Sequence, residues 1–310
     1  MSNPSPPVFV PPPAPAEEEI MQYWPVSDQV TLSVVCITFN HAEFIELALN
    51  GILMQKTDFR FEVFVRDDAS NDGTSEIVKR YAERYPSIIK PIIEPENTYS
   101  KGISPWMVIF PKTAGKYIAH CEGDDYWGDP QKLQKQIDYL EAHPECVITF
   151  HDAVVVDENN KLVRQSVLED QKRSYSKQDL VDTGNLPNLT RCYRNLIRDL
   201  PAEFAKTQSG DTFICSMLGE FGTGVALSNI DPSYYRVHSG GTWQGINNNQ
   251  RKIDVASTFY WIALHHRNRG NKLTASRLLM FSMMTLSSNP KLKLSWLDRI
   301  KTAGKILIGK

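Results

Sequence analysis

The chain has 310 residues, 41% hydrophobic and 23% charged, which describes a globular polypeptide with material for one large core or two modest ones and excludes disorder throughout or collagen-like repetition. Basic side chains number 34 against 36 acidic, a formal net charge of -2, so no global positive field exists to hold a polyanion and nucleic acid is not an expected partner. No run approaches the ~18 to 20 apolar residues of a spanning helix, no secretory signal pattern opens the chain, and Cys36, Cys121, Cys146, Cys192 and Cys215 form no C-x-x-C pair, so a reducing, cytoplasmic setting with buried thiols is expected.

Residues 1–28 carry Pro4, Pro6, Pro7, Pro11, Pro12, Pro13 and Pro15 and then Glu17, Glu18 and Glu19. That composition favours extended polyproline conformations and predicts a disordered tail, with a proline-rich ligand segment as its functional alternative. From Leu32 the pattern changes to short β-rich runs, Leu32–Phe39, Phe61–Arg66, Ile88–Ile93 and Tyr117–Cys121, whose starts lie 29, 27 and 29 residues apart. The interval suits strand, crossover helix and return, not hairpins. Ile45, Ala48, Leu49, Ile52 and Leu53 fall at helical spacing between the first two runs, and Ile77, Val78 and Tyr81 do so within Ser75–Tyr85. Strands as apolar as Leu32–Ile37 imply a sheet covered on both faces. The predicted architecture is an α/β sandwich with a mostly parallel sheet over residues 29–250. Cys146–His151 and Ala153–Val156 read as further strands, and Ile253–Arg267 and Leu273–Leu286 as two helices around Gly270 and Asn271, opening a C-terminal helical extension over 251–310. Its end, Lys291–Lys310, sets Leu292, Trp296, Ile300, Ala303 and Leu307 on one stripe with six basic residues and one acidic. An amphipathic basic helix of this kind suits an anionic membrane surface, or a packing role on the catalytic domain or on a second subunit.

Sheets of this class bind ligands at the carboxyl ends of their strands. Polar clusters stand at three such ends: Thr38, Phe39, Asn40 and His41; Asp67, Asp68, Asn71 and Asp72; and Glu122, Gly123, Asp124 and Asp125. Three carboxylates within four residues are costly unless solvated or neutralised, and a hard divalent cation completed by substrate phosphates neutralises them. The alternative use, helix capping, accounts for Asp129 before Pro130 but not for Glu122 and Asp124 together. Asp68 is surplus to capping and could accept from the edge of a base. Trp106, Tyr126, Trp127 and Trp243 are aromatic residues near this rim on which a sugar ring could stack, with core packing as their alternative. His120 reads as structural within its strand, and His265 and His266 as residues of a helix surface.

Taken together these residues resemble family 2 glycosyltransferases of the GT-A fold. The resemblance runs from about Leu32 to Gly241 through Val35-Cys36-Ile37-Thr38-Phe39-Asn40, Asp67-Asp68-Ala69-Ser70 with Asp72-Gly73-Thr74, Gly115-Lys116-Tyr117-Ile118, Glu122-Gly123-Asp124-Asp125-Tyr126-Trp127 with Asp129-Pro130, Gly210-Asp211, and Tyr235-Arg236-Val237-His238. It implies that Thr38, Phe39 and Asn40 lie against the nucleoside of a nucleotide diphosphate sugar, a UDP-sugar favoured, and that Asp68 reads the base. Glu122 and Gly123 would flank the ribose and diphosphate, while Asp124 and His238 would hold Mn²⁺ or Mg²⁺. Asp211 would be the general base of an inverting transfer, and Asp125, Trp127 and Trp243 would contact acceptor or sugar. Glu122 stands where the family usually has aspartate. The implied acceptor is a hydroxyl of a glycan or lipid-linked molecule, in a bacterial cell-surface polysaccharide pathway (O-antigen, capsule or exopolysaccharide), with the enzyme cytoplasmic or peripheral at the inner face of the membrane. The alternatives are a non-catalytic nucleotide-sugar-binding or scaffolding protein, and a nucleotidyltransferase; the latter lacks its expected glycine-rich loop, because no glycine follows Phe39 until Gly51.

Overall fold

A computed structural model describes residues 8–27, 29–169, 172–184, 186–197, 199–241 and 245–288. Strands β1 (Leu32–Thr38), β2 (Phe61–Asp67), β3 (Ile89–Ile93) and β4 (Tyr117–His120) form where the apolar runs predict them. They are parallel: β1 lies between β2, with Leu32 opposite Phe61 and Thr38 opposite Asp67, and β4, with Val35 opposite His120. Strands β5 (Cys146–Phe150), β8 (Cys192–Arg194) and β9 (Thr223–Ala226) extend this to a seven-stranded sheet of order β3-β2-β1-β4-β8-β5-β9, in which β8 is antiparallel to both neighbours. A second sheet of β6 (Ala153–Asp157), β7 (Leu162–Arg164) and β10 (Ser233–Val237) stands beside it. A bridge between Tyr126 and Tyr234 ties β10 to the turn after β4.

The pleat sorts the core into two layers. Leu32, Val34 and Cys36 of β1 and Phe61, Val63 and Val65 of β2 share one apolar layer with α2 (Ile45–Leu53), α3 (Thr74–Arg84) and α5 (Lys132–Ala142). Val35, Phe64 and Ile118 face the other, built on α4 (Pro105–Ile109), α6 (Lys177–Thr183), α7 (Gly210–Leu218) and α8 (Asn248–Asn268). Both faces are covered, as the near-continuous apolar strands require. The five cysteines are free and buried.

Two expectations fail. Residues 8–27 of the expected tail lie on the domain: Ala14 and Ile20 are buried in the first layer, and Glu17–Met21 forms the short helix α1. Prolines leave carbonyls to be satisfied, and the Tyr85 hydroxyl donates to Pro15 O at 2.9 Å, while Asn50 Oδ1 accepts from the Ala14 N–H at 3.1 Å. Pre-set φ angles lower the entropy cost of holding such a strap. His265 and His266 do not face solvent, because both are buried where α8 packs on the domain. His266 Nε2 meets Ser216 Oγ at 3.0 Å and its Nδ1 lies 3.1 Å from Glu220. This serine, histidine and glutamate set is a structural tie: Ser216 is buried and donates to Val181 O. The helical hairpin forms as read, with α9 at Lys272–Ser287, while the basic segment 291–310 lies outside the described residues.

Candidate active site

The loops after β1 and β2 are clipped together. Asn40, at φ 54°, accepts from the Asn71 N–H through Oδ1 at 3.0 Å and donates its own N–H to Ser70 Oγ at 2.8 Å. The His41 N–H donates to Thr74 Oγ1 at 2.9 Å and the Ala42 N–H to Asp72 Oδ2 at 2.9 Å. This lacing over-determines a left-handed residue and fixes the rim. Phe39 projects from it, 41% exposed, so its ring face is open to a planar ligand.

Asp68 is turned inward. It accepts from Arg66 Nη2 at 2.8 Å, from the Thr98 N–H at 3.0 Å and hydroxyl at 2.8 Å, and from the Tyr99 N–H at 2.9 Å. Burial pushes its carboxyl up, but the bonds from Thr98 and Tyr99 and the Arg66 charge outweigh that and hold it below the usual range. Three of the four bonds fall on Oδ1, so any reading of a base falls to Oδ2.

The turn after β4 approaches the end of β1. The Gly123 N–H donates to Ile37 O at 2.9 Å, and a Cβ on Gly123 would stand 2.6 Å from Thr38 Oγ1 and 3.0 Å from His41 Nδ1, so no side chain fits there. Asp124 Oδ2 lies 3.1 Å from His238 Nε2 and 3.8 Å from His41 Nε2. Burial raises the Asp124 carboxyl, but the His238 hydrogen bond and the two imidazoles more than reverse this. Glu122 is pushed up to about 8 by burial and then by the charges of Asp124 and Asp211, although Asn188 Nδ2 donates to it at 3.2 Å. Asp211, in the first turn of α7, is positioned by the buried Arg191, which donates to its carbonyl at 3.0 Å and lies 3.4 Å from its carboxylate.

One ligand atom each from His41, Asp124 and His238 falls within 4.8 Å of the others, and Glu122, Asp124 and Asp125 converge equally closely. An oxygen and nitrogen donor set of this kind fits a divalent cation such as Mn²⁺. An open cleft of ≈ 360 Å³ beside His238 is lined by Asn40, Ala42, Phe44, Asp72 and Glu158 among others.

Two expected contact residues are buried and bonded within the protein. Asp125 is buried and accepts from the Arg236 N–H at 2.9 Å, and burial together with the charges of Asp124 and Glu122 raises its carboxyl well above the usual range. Trp127 is fully buried, donates from Nε1 to Leu189 O at 2.7 Å and carries the Lys132 ammonium 4.1 Å over its ring. Core packing accounts for it, in the layer of α2 and α5. Trp243 lies outside the described residues. His120, as read, is structural, meeting the Tyr193 hydroxyl at 2.8 Å. Sequence reasoning missed Arg236, whose Nε donates to Asp124 O at 2.9 Å and whose guanidinium lies 4.6 Å over Phe44, and it missed Arg191 and Asn188 as supports. It gave His41 no role beyond a place in the polar cluster that follows the first strand.

The glycosyl transferase family 2 profile matches residues 33–202, more than half of the chain, and the chain belongs to that family. An uncharacterized protein of Mycobacterium tuberculosis is 32% identical over 225 residues, 72% of this chain and 63% of that protein, so the match spans under two thirds of the relative's length. Staphylococcus aureus TarS 1–349, solved in complex with UDP-GlcNAc, superposes with a TM-score of 0.61 at 20% identity, over 90% of this chain and 82% of that one. The mannosyltransferase PcManGT of Pyrobaculum calidifontis, solved with GDP-Man and Mn²⁺, does so with a TM-score of 0.53 at 15% identity, over 95% and 87%. The fold is GT-A, with its mostly parallel central sheet and C-terminal helices.

Proposed function

We propose that this protein is an inverting, metal-dependent glycosyltransferase that moves a sugar from a nucleotide diphosphate sugar, a UDP-sugar favoured, to a hydroxyl of a glycan or lipid-linked acceptor in cell-surface polysaccharide synthesis. The observation that carries the reading is the meeting of Asp124 and His238, 3.1 Å apart, at the strand ends where Glu122 and Asp211 also stand close enough for their charges to interact. Support for the donor class comes from the neighbours solved with UDP-GlcNAc and GDP-Man. Asp211 takes the proton of the acceptor hydroxyl as its oxygen attacks the anomeric carbon; the bond from that carbon to the phosphate oxygen breaks, and its electron pair leaves with the nucleotide diphosphate. Attack opposite the leaving group inverts the centre. Asp124 and His238 would hold the cation, which when bound supplies positive charge to the leaving diphosphate. Arg191 keeps Asp211 aimed, and Phe39 offers its face to the nucleoside.

Screening UDP-, GDP- and dTDP-sugars for binding and slow hydrolysis tests this. One donor should bind and hydrolyse in Mn²⁺ or Mg²⁺, and EDTA or Asp124→Asn should abolish turnover and weaken binding with thermal unfolding unchanged. Full activity in EDTA would refute the metal requirement.

A further inference from the structure

We infer that His41 is a third protein ligand for the cation, making His41, Asp124 and His238 a two-histidine, one-carboxylate set that takes a transition-metal dication such as Mn²⁺ ahead of Mg²⁺ and holds it before any nucleotide arrives. This rests on the donor-site reading above and deepens it.

The geometry fits a common ion. Donor atoms each ~2.1 Å from one cation lie roughly 3 to 4 Å apart when their bonds diverge by about 90 to 130°, and Asp124 Oδ2 stands 3.1 and 3.8 Å from the two imidazole Nε2 atoms. The ring of His41 is also held in place. Its backbone is tied to Thr74 Oγ1, its ring stands at 84° to that of His238 with centroids 5.8 Å apart, and Gly123 leaves the space that the ring edge fills. Ligation through Nε2 puts the ring proton on Nδ1. His41 Nδ1 is buried without a hydrogen-bond partner among the described residues, and so is Thr38 Oγ1, which lies against the same glycine and can accept. The two atoms do not bond each other as they stand; ligation through Nε2 fixes the proton on Nδ1, on the side of the ring where Gly123 and Thr38 lie.

The chemistry then sets the preference. Imidazole suits first-row transition metals, whereas Mg²⁺ takes carboxylate, phosphate and water oxygens and binds weakly where it must give up its waters to nitrogen. One carboxylate and one imidazole would leave the cation dependent on the diphosphate, but a second imidazole completes a protein set that binds alone.

The test is a titration of the full-length, nucleotide-free protein with Mn²⁺, with free Mn²⁺ followed by electron paramagnetic resonance and the same samples followed by calorimetry. Wild type should bind one Mn²⁺ per chain, with Mg²⁺ competing poorly. His41→Ala and the more conservative His41→Gln should each weaken binding on the order of 10- to 100-fold, with the circular dichroism spectrum unchanged; if the alanine variant fails to fold, the glutamine variant gives the answer. A parallel titration with UDP in saturating Mn²⁺ separates the two levels. If UDP binds but Mn²⁺ alone does not, or if the His41 variants match wild type, His41 is no ligand and the glycosyltransferase reading stands. If neither Mn²⁺ nor UDP binds, both readings fall.

Discussion

Replacing Asp211 with asparagine removes the proposed base while keeping the shape of its side chain. The Arg191 bond to the Asp211 carbonyl, at 3.0 Å, does not involve the carboxylate and survives. What is lost is the charge of the 3.4 Å contact between Arg191 Nη2 and an Asp211 side chain that is 31% exposed. Exposure of that degree limits the pair to about 1 kcal/mol, and the new amide oxygen still accepts from Arg191, so the melting temperature should move by only a few degrees. The chemical loss is larger: a missing general base costs about 10² to 10⁴ in rate, or about 2.7 to 5.5 kcal/mol in the barrier. Steady-state transfer, measured with donor affinity from calorimetry in Mn²⁺, should therefore show kcat reduced by at least about a hundredfold and the donor Kd within about twofold of wild type. A donor Kd that rises as much as kcat falls would place Asp211 in the donor site or the fold and refute its role as the base.

Lys132 is fully buried with its ammonium donating to Gln136 Oε1 at 2.7 Å, and burial lowers its pKa from 10.5 to about 8. The folded state thus binds fewer protons than the unfolded chain between those values, so stability rises with pH across that window and the full penalty, on the order of 3 kcal/mol, applies below pH 8. Losing the contact over Trp127 and the bond to Gln136 offsets part of this gain, so Lys132→Met should be more stable than wild type at pH 7 by about 1 to 2 kcal/mol, and denaturant titrations should show the gap closing within that window and reversing by pH 10.5; a gap constant in pH would refute the buried-charge account. The basic segment, with Lys291, Lys293, Arg299, Lys301 and Lys305, follows α9, which presents Leu273, Met280 and Met284 to solvent. At about 1 kcal/mol per basic residue near an anionic surface, the protein should co-sediment with anionic vesicles at low salt, release at high salt, and lose binding on removal of residues 291–310; unchanged vesicle binding with dissociation of an oligomer would assign the segment to a subunit contact.

The strands, the helices laid on them and the rim at their carboxyl ends were legible because parallel strands in a covered sheet are apolar at nearly every position and recur at the length of a crossover. That regularity places Thr38, Asp68 and Asp124 on one edge without any knowledge of contacts. It carries no information about elements outside the period. β8 has three residues and runs antiparallel between β4 and β5, so no spacing in the chain announces that Arg191, just before it, will stand behind Asp211. His238 reaches Asp124 across 114 positions because β10 pairs with β6 in a second sheet, and only the family resemblance brought it to the site.

The errors near the site have a common physical source. Trp127 and Asp125 adjoin Asp124 in sequence, yet both are buried, Asp125 on the Arg236 N–H and Trp127 on the Leu189 carbonyl, where the bridge from Tyr126 to Tyr234 ties this stretch to β10. Nearness in sequence to a carboxylate therefore predicts the loop a residue occupies and not the side it faces. A buried arginine reverses the usual inference in the same way: Arg236 looks like a surface charge, but with its N–H on Asp125, its Nε on the Asp124 carbonyl and Nη1 on the Asp157 carbonyl it fixes the turn that aims Asp124 at the two histidines. Removing its side chain would free the Asp124 and Asp157 carbonyls while the backbone N–H to Asp125 persists, so the cost would appear in cation affinity and stability together, the signature that separates a positioning arginine from one that meets the diphosphate.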